Sequence, residues 1–172
     1  MKAILVTKQM ITTSEYIEVR TSLIHGSGIY AKKDIPKETR IIEYIGEKIS
    51  RLKSELFDEN PEKGIYLFEL NKKYDLDGNV EYNTARFINH SCNPNCYVEI
   101  KNEEIWILSI NEIKKGEELT YDYGFPLFNF LNYKCNCGTK KCVGYIVERD
   151  LWPKMFKKLI KMKKKNLVLS NK

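Results

Sequence analysis

Long apolar runs are absent from this chain. No stretch of its 172 residues approaches the roughly eighteen apolar residues that a membrane span needs, and the Ala3-Ile4-Leu5-Val6 run is far too short for a signal-peptide core. No membrane partner is expected, and the chain reads as intracellular: cytoplasm or nucleoid in a prokaryote, nucleus or chromosome in a eukaryote. Internal repeats and Pro/Gly/Ser linkers are also missing, which argues against a solenoid or a string of tethered domains. With 42 % apolar residues, wholesale disorder is excluded, and one compact domain with a terminal appendage remains.

Acids are absent from residues 151–172, which hold eight lysines. The formal charge of +6 therefore divides into +8 there and −2 over residues 1–150. Within that body, residues 43–125 carry seventeen acids against ten bases, a net −7. A central region of that sign attracts a basic peptide more readily than a nucleic acid, whereas the lysine tail favours phosphates. Five cysteines is an odd number, and Cys135, Cys137 and Cys142 are crowded together. Without an export signal, such a cluster points to a metal before it points to disulfides.

The pattern is mostly β. Residues 16–20 alternate as a strand does, and residues 40–45 and 65–70 read as buried strands. Residues 97–100 and 105–110 bracket a hairpin turn at Lys101-Asn102-Glu103-Glu104. One helix is expected over residues 50–59, ended by Asn60-Pro61. A second begins at Asp150, which is placed to cap it, with Trp152, Met155, Phe156, Leu159 and Ile160 on one face and lysines on the other. That helix reads as docked with a solvated basic face, or as a nucleic-acid or membrane-surface contact.

Two segments carry most of the chemistry. In Arg86-Phe87-Ile88-Asn89-His90-Ser91-Cys92-Asn93-Pro94-Asn95-Cys96, hydrogen-bonding side chains follow an apolar pair able to anchor them in the core. In Gly116-Glu117-Glu118-Leu119-Thr120-Tyr121-Asp122-Tyr123-Gly124-Phe125, two phenols fall on one face of an extended strand. Alone, His90 is an ordinary structural histidine and the tyrosines are ordinary core. Together, in this order and spacing, the segments resemble the signature motifs of the SET-domain lysine methyltransferases. His25-Gly26-Ser27-Gly28-Ile29-Tyr30-Ala31 is similar to the family's glycine motif, and Ile42-Glu43-Tyr44-Ile45-Gly46-Glu47 to the strand after it. Cys135-Asn136-Cys137-Gly138-Thr139-Lys140-Lys141-Cys142-Val143-Gly144 resembles the post-SET zinc loop. The likeness covers roughly residues 16–146.

The resemblance implies a mainly β, β-rich α+β protein: a SET fold of several small sheets with a C-terminal pseudoknot, a zinc-bound loop and a basic C-terminal helix. It divides the chain into an N-terminal extension (1–15), a SET domain (16–125), a post-SET zinc loop (131–147) and a basic helix and tail (150–172). The implied activity is methyl transfer from S-adenosylmethionine to the ε-amine of a lysine in a protein such as a histone or another basic protein. His25, Gly26, Ser27, Gly28, Tyr66, Asn89, His90 and Asn136 match the family's cofactor positions. Tyr123 matches the catalytic tyrosine. Tyr121 matches the position that tunes how many methyl groups are added, where tyrosine favours mono- or dimethylation, and Tyr44 is expected to line the same lysine channel. One structural Zn²⁺ is implied on Cys135, Cys137 and Cys142, with Cys92 as fourth ligand by resemblance; Cys96 is a rival for that place and otherwise a buried thiol.

Two departures and two alternatives stay open at this level. There is no cysteine-rich segment ahead of the SET core, and residues 46–64 match nothing diagnostic, so the substrate is not identified. A non-catalytic, zinc-stabilised module docking nucleic acid through the lysine tail is the second reading. Methylation of a small molecule, or of the chain's own lysines, is the third. Oligomeric state is not legible.

Overall fold

The computed structural model describes residues 11–56 and 66–170. Among these residues, ten short strands build three small sheets. The first has the order β1-β2-β10-β7, from Ile17–Thr21 (β1), Ser27–Ala31 (β2), Glu118–Tyr121 (β10) and Asn89–His90 (β7). The second is β3-β9-β8, from Arg40–Glu43 (β3), Glu104–Ser109 (β9) and Cys96–Lys101 (β8). The third is β4-β6-β5, from Glu47–Ser50 (β4), Tyr74–Asp77 (β6) and Leu67–Glu69 (β5). This is the mainly β arrangement of small sheets that the motifs imply. The hairpin at 101–104 forms as expected. Its two turn residues, Asn102 and Glu103, adopt φ of 53° and 65°, the doubly left-handed turn whose twist suits tight hairpins.

The placement of β10 organises the molecule. It runs antiparallel to β2, with Leu119 opposite Ile29, and parallel to β7, with Tyr121 opposite His90. Beyond β7 the chain curls back over it. Ser91 N–H donates to the Tyr121 carbonyl (3.1 Å). The Asn95 side chain accepts from Thr120 N–H and donates to the Glu118 carbonyl, both at 2.8 Å. Asn95 thus serves β10 as a neighbouring strand would, and β10 is laced between β2 and the 89–96 segment. Ile29, Ile35, Ile88, Ile107, Ile113 and Leu119 form the fully buried centre beneath this junction.

A smaller core of Phe130, Val147 and Met155 holds the C-terminal region to the body. The short helix α1 covers Arg51–Ser54, with the Ser50 hydroxyl accepting from Lys53 N–H (3.3 Å). The expected helix over 50–59 therefore continues as α-helix only to Ser54, and its residues 57–59 lie outside the described residues. Ile65, at the start of an expected strand, also lies outside; the strand itself is Leu67–Glu69.

The long helix α2, Trp152–Ser170, forms, but two expectations about it are corrected. Asp150 is not its cap, because a 3-10 turn over Arg149–Leu151 already leads into it. That turn is tied down by Arg149 Nη2 donating to the Cys92 carbonyl and Trp152 Nε1 donating to the Val147 carbonyl, both at 2.9 Å. The apolar face is also narrower than its periodicity implies. Met155 is fully buried and Trp152 and Leu159 partly so, whereas Phe156 and Ile160 are 45 % and 56 % exposed. At about 100° per residue these two point well round from Met155, past the edge of the body.

Candidate active site

Tyr123 stands between two clefts. The first is a cavity of about 240 Å³, close to the scale of small-ligand clefts, lined by Ile24, His25, Asn89, His90 and Tyr123 on one side. Residues 132–136 and Ile146 line the other. The second is lined by Leu67, Phe68, Glu69, Ile100, Tyr121, Tyr123, Gly124, Phe125 and Pro126. Tyr121 and Tyr123, two residues apart where β10 ends, have ring centroids 4.8 Å apart. Phe68 extends the aromatic wall, stacked on Tyr121 at 5.9 Å and edge-on to Tyr44 at 4.7 Å. Phe125 continues it from Tyr123 (5.5 Å) toward Tyr133 (4.8 Å).

The tyrosine hydroxyls are held in place. That of Tyr123 donates to the Ile88 carbonyl (3.0 Å), and that of Tyr44 to the Tyr66 carbonyl (3.1 Å). Burial, reinforced by the neighbouring phenols, raises the pKa of Tyr44, Tyr121 and Tyr123 above the ordinary value of 10.0. All three are neutral at physiological pH. His90, itself buried, accepts from Tyr123 N–H through Nδ1 (3.2 Å), which leaves its proton on Nε2.

Asn89 is oriented by a neighbour that no sequence pattern singles out. Its Nδ2 donates to the carbonyls of His25 (3.3 Å) and Ser27 (3.0 Å) and to Glu118 Oε1 (2.9 Å). The Glu118 carboxylate also accepts from the Ser22 hydroxyl (2.7 Å) and the Tyr30 hydroxyl (3.0 Å). With its amide nitrogen committed, Asn89 keeps its Oδ1 without a protein partner among the described residues, on the wall of the first cleft. Glu118 gives the glycine motif a second reading. A Cβ on Gly28 would collide with that carboxylate and with Ser22, while Gly26, at φ +46°, makes the turn.

Of the residues matched to cofactor positions, His25, Asn89, His90 and Asn136 line the first cleft, and Gly26, Ser27, Gly28 and Tyr66 do not. Gly26 to Gly28 form its rear support instead, and Tyr66 meets the Tyr44 hydroxyl through its main chain. Of the three tyrosines matched to the lysine channel, Tyr121 and Tyr123 line the second cleft, while Tyr44 lies behind Phe68. Ile24, Asn132, Tyr133, Lys134 and Ile146 line the first cleft without having been singled out by pattern. They come from stretches with no polar motif of their own.

Cys92, Cys135, Cys137 and Cys142 converge, their sulfurs all within 4.8 Å of one another. The Cys92 and Cys135 sulfurs are 3.7 Å apart, against about 3.8 Å for two thiolates sharing a tetrahedral zinc with bonds of about 2.3 Å. The neighbouring Cys135 sulfur lowers the pKa of the Cys92 thiol, and His90, whose Nε2 is 3.7 Å away, acts in the same direction. Gly144 N–H donates to Cys142 (3.4 Å), and the Thr139 hydroxyl lies 3.3 Å from Cys137. Four sulfurs with outer hydrogen bonds fit a closed structural metal site. Cys96 lies outside the group, buried in β8, and burial pushes its thiol up to about 12.

The family model of the SET domain matches residues 26–124, well over half of the chain, which belongs to the SET-domain family. Three curated relatives are histone-lysine N-methyltransferases by name. Trithorax of Drosophila virilis is 40 % identical over 142 residues, covering 78 % of this chain and 4 % of that protein. Set-2 of Caenorhabditis elegans is 44 % identical over 138 residues, 76 % and 9 % respectively. ASHR3 of Arabidopsis thaliana is 41 % identical over 129 residues, 70 % and 26 %. The chain thus spans about a quarter or less of the length of these relatives. Among the described residues, no helix is long and apolar enough to cross a membrane.

Proposed function

We propose that this chain transfers a methyl group from S-adenosylmethionine to the ε-amine of a lysine in a basic protein, stopping mainly at mono- or dimethyl-lysine. The observation that carries the reading is the position of Tyr123, which walls both clefts, as a residue between a methyl donor and its acceptor would. The names of the relatives point to a histone or a comparable protein as substrate, and the net −7 of residues 43–125 suits a basic segment. A substrate of that kind places the enzyme on chromatin or a nucleoid.

The first cleft fits the cofactor in its chemistry. Asn89 Oδ1 is an unclaimed acceptor suited to an ammonium group, and Ile24, Ile146 and the Tyr133 ring offer apolar cover to an aromatic base. His25, Asn89, His90 and Asn136 would hold it, and when bound it supplies a sulfonium-activated methyl group. Attack requires a neutral amine, and free lysine has a pKa near ~10.4. Phe68, Tyr121, Tyr123 and Phe125 enclose the alkyl stem, exclude water and disfavour the ammonium form. The neutral hydroxyls of Tyr121 and Tyr123 orient the amine lone pair, so these residues act by alignment rather than as nucleophiles. The four-cysteine cluster would hold one Zn²⁺, fixing the 131–147 loop as the outer wall of the first cleft.

The test is mass spectrometry of a lysine-rich protein mixture incubated with the chain and S-adenosylmethionine, beside Tyr123→Phe. Methyl-sized increments on lysine are expected, with turnover about 100-fold lower in the variant and cofactor affinity within about two-fold. No increments on any protein, with zinc present and cofactor saturating, would overturn the reading in favour of a non-catalytic module.

A further inference from the structure

We propose that α2 is a docking surface for double-stranded nucleic acid, gripping the phosphodiester backbone with a stripe of lysines. Lys154, Lys157, Lys161, Lys164 and Lys165 are all exposed, and helical geometry puts them within an arc of about 100°, turned away from the buried Met155. Several cations elsewhere on the surface are neutralised locally: Lys33 pairs with Glu15, Lys48 with Glu103, and Lys114 with Asp34 and Glu112. The five stripe lysines have no carboxylate partner among the described residues, and residues 151–172 contain no acid at all. An uncompensated row of cations on a rigid rod calls for an anion repeated along a line.

The spacing selects the occupant. From Lys154 to Lys165 the stripe is about 16 Å long. A duplex presents one negative charge per about 1.7 Å of axis, counting both strands, so roughly ten phosphate charges lie along that length for five lysines to draw on. An anionic membrane fits less well, because the side of α2 that would enter lipid is already spent on the protein's own body. Met155 is fully buried there, and Trp152 and Leu159 partly so. Among the described residues of α2, Phe156, Ile160 and Met162 are the large apolar side chains left exposed.

The rest of the chain, at a net −2, gives a polyanion no reason to approach, so α2 reverses the attraction by itself. The helix is rigidly placed for this. Arg149, in the turn before it, is bonded to the Cys92 carbonyl, and Lys158 lies over the ring of Phe130 at 5.4 Å. Nucleic acid held on the stripe is thereby tethered to the body that carries the clefts. Basic proteins bound to that nucleic acid are presented to them at high local concentration. The docking stands on the helix alone and holds whether or not the methyl-transfer reading does.

The experiment is fluorescence anisotropy of the whole chain against a short labelled DNA duplex and a matched RNA duplex over a salt series. The parallel variant is K154Q/K157Q/K161Q/K164Q/K165Q. Five phosphate contacts predict a slope of log affinity on log salt of about −4.5, and the variant should lose at least about ten-fold in affinity at about 0.1 M salt with its helical circular dichroism unchanged. The variant F156S/I160S should keep the slope. Absence of duplex binding at low salt, or binding that survives the five substitutions, would overturn the proposal. So would binding only to phosphatidylserine vesicles that disappears in F156S/I160S. Equal binding of both duplexes means that the backbone charge alone is read; a preference identifies the helical form that the stripe fits.

Discussion

At the scale of single residues, Tyr121 and Tyr123 share a wall but differ in commitments. The Tyr123 hydroxyl is bound to the Ile88 carbonyl, whereas that of Tyr121 makes no hydrogen bond among the described residues and is left to engage a ligand. Under the methyl-transfer reading, a free hydroxyl there restrains the amine and occupies the room that a further methyl needs. Tyr121→Phe should therefore raise the share of higher methylation states, read as the product distribution by mass spectrometry; an unchanged distribution would refute this role. Glu118 is a positioning residue in the same sense. Glu118→Ala should weaken cofactor binding about ten-fold by calorimetry, because it frees the Asn89 amide to flip, with Glu118→Gln between the two. A purely structural role would lower thermal stability and leave the affinity of the folded protein unchanged. Glu118 was illegible beforehand because a Gly-Glu-Glu stretch reads as a solvated turn, and its three partners come from residues 22, 30 and 89.

At the scale of elements, the four-cysteine cluster joins the segment after β7 to the loop before α2, and its ligands come from both sides of that junction. One zinc per chain is expected by metal analysis, falling well below one in Cys135→Ser and staying at one in Cys96→Ser. Chelation should release amide protection over 131–147 while β8 and β9 remain protected, as followed by hydrogen exchange. Three of these ligands were legible as a crowd of cysteines. The fourth was available only through the family likeness, because nothing in local spacing brings residue 92 to residue 135. Alternation placed β1, a run of apolar residues placed β3, and the turn at 101–104 placed β8 and β9 on either side of it. Periodicity failed on Phe156 and Ile160 because a helical pattern gives the direction of a side chain and not how far the body beneath it extends.

At the scale of the whole molecule, buried neutral acids set the response to pH. Burial raises Cys96 from an ordinary 9.0 to about 12, and it raises Tyr44, Tyr121 and Tyr123 above 10.0. The folded state therefore holds these protons more tightly than the unfolded chain does. Their contribution to stability is complete below pH 9 and declines as pH rises from about 9 toward 12. Denaturant midpoints should fall over that interval, and Cys96→Ala should begin to fall later. Under the methyl-transfer reading, activity moves the other way at first. The substrate amine must lose its proton while the tyrosines keep theirs, so kcat/KM should climb with unit slope from about pH 7 to 9. A fall within that interval would show that a tyrosine or another group ionises earlier than its surroundings allow.

The lacing of β10 between β2 and β7 also has a meaning in time. The sheet that carries Asn89, His90 and Tyr121 cannot close until residues 118–121 arrive and slot between strands made long before them. Such distant pairings are reached late and slowly, since much of the chain must be ordered before the reward appears. A nascent chain that stops short of residue 118 therefore carries β2 and β7 with open edges between them, exposed to aggregation and to chaperones. Assembly of the clefts is thus deferred to one of the last events of folding.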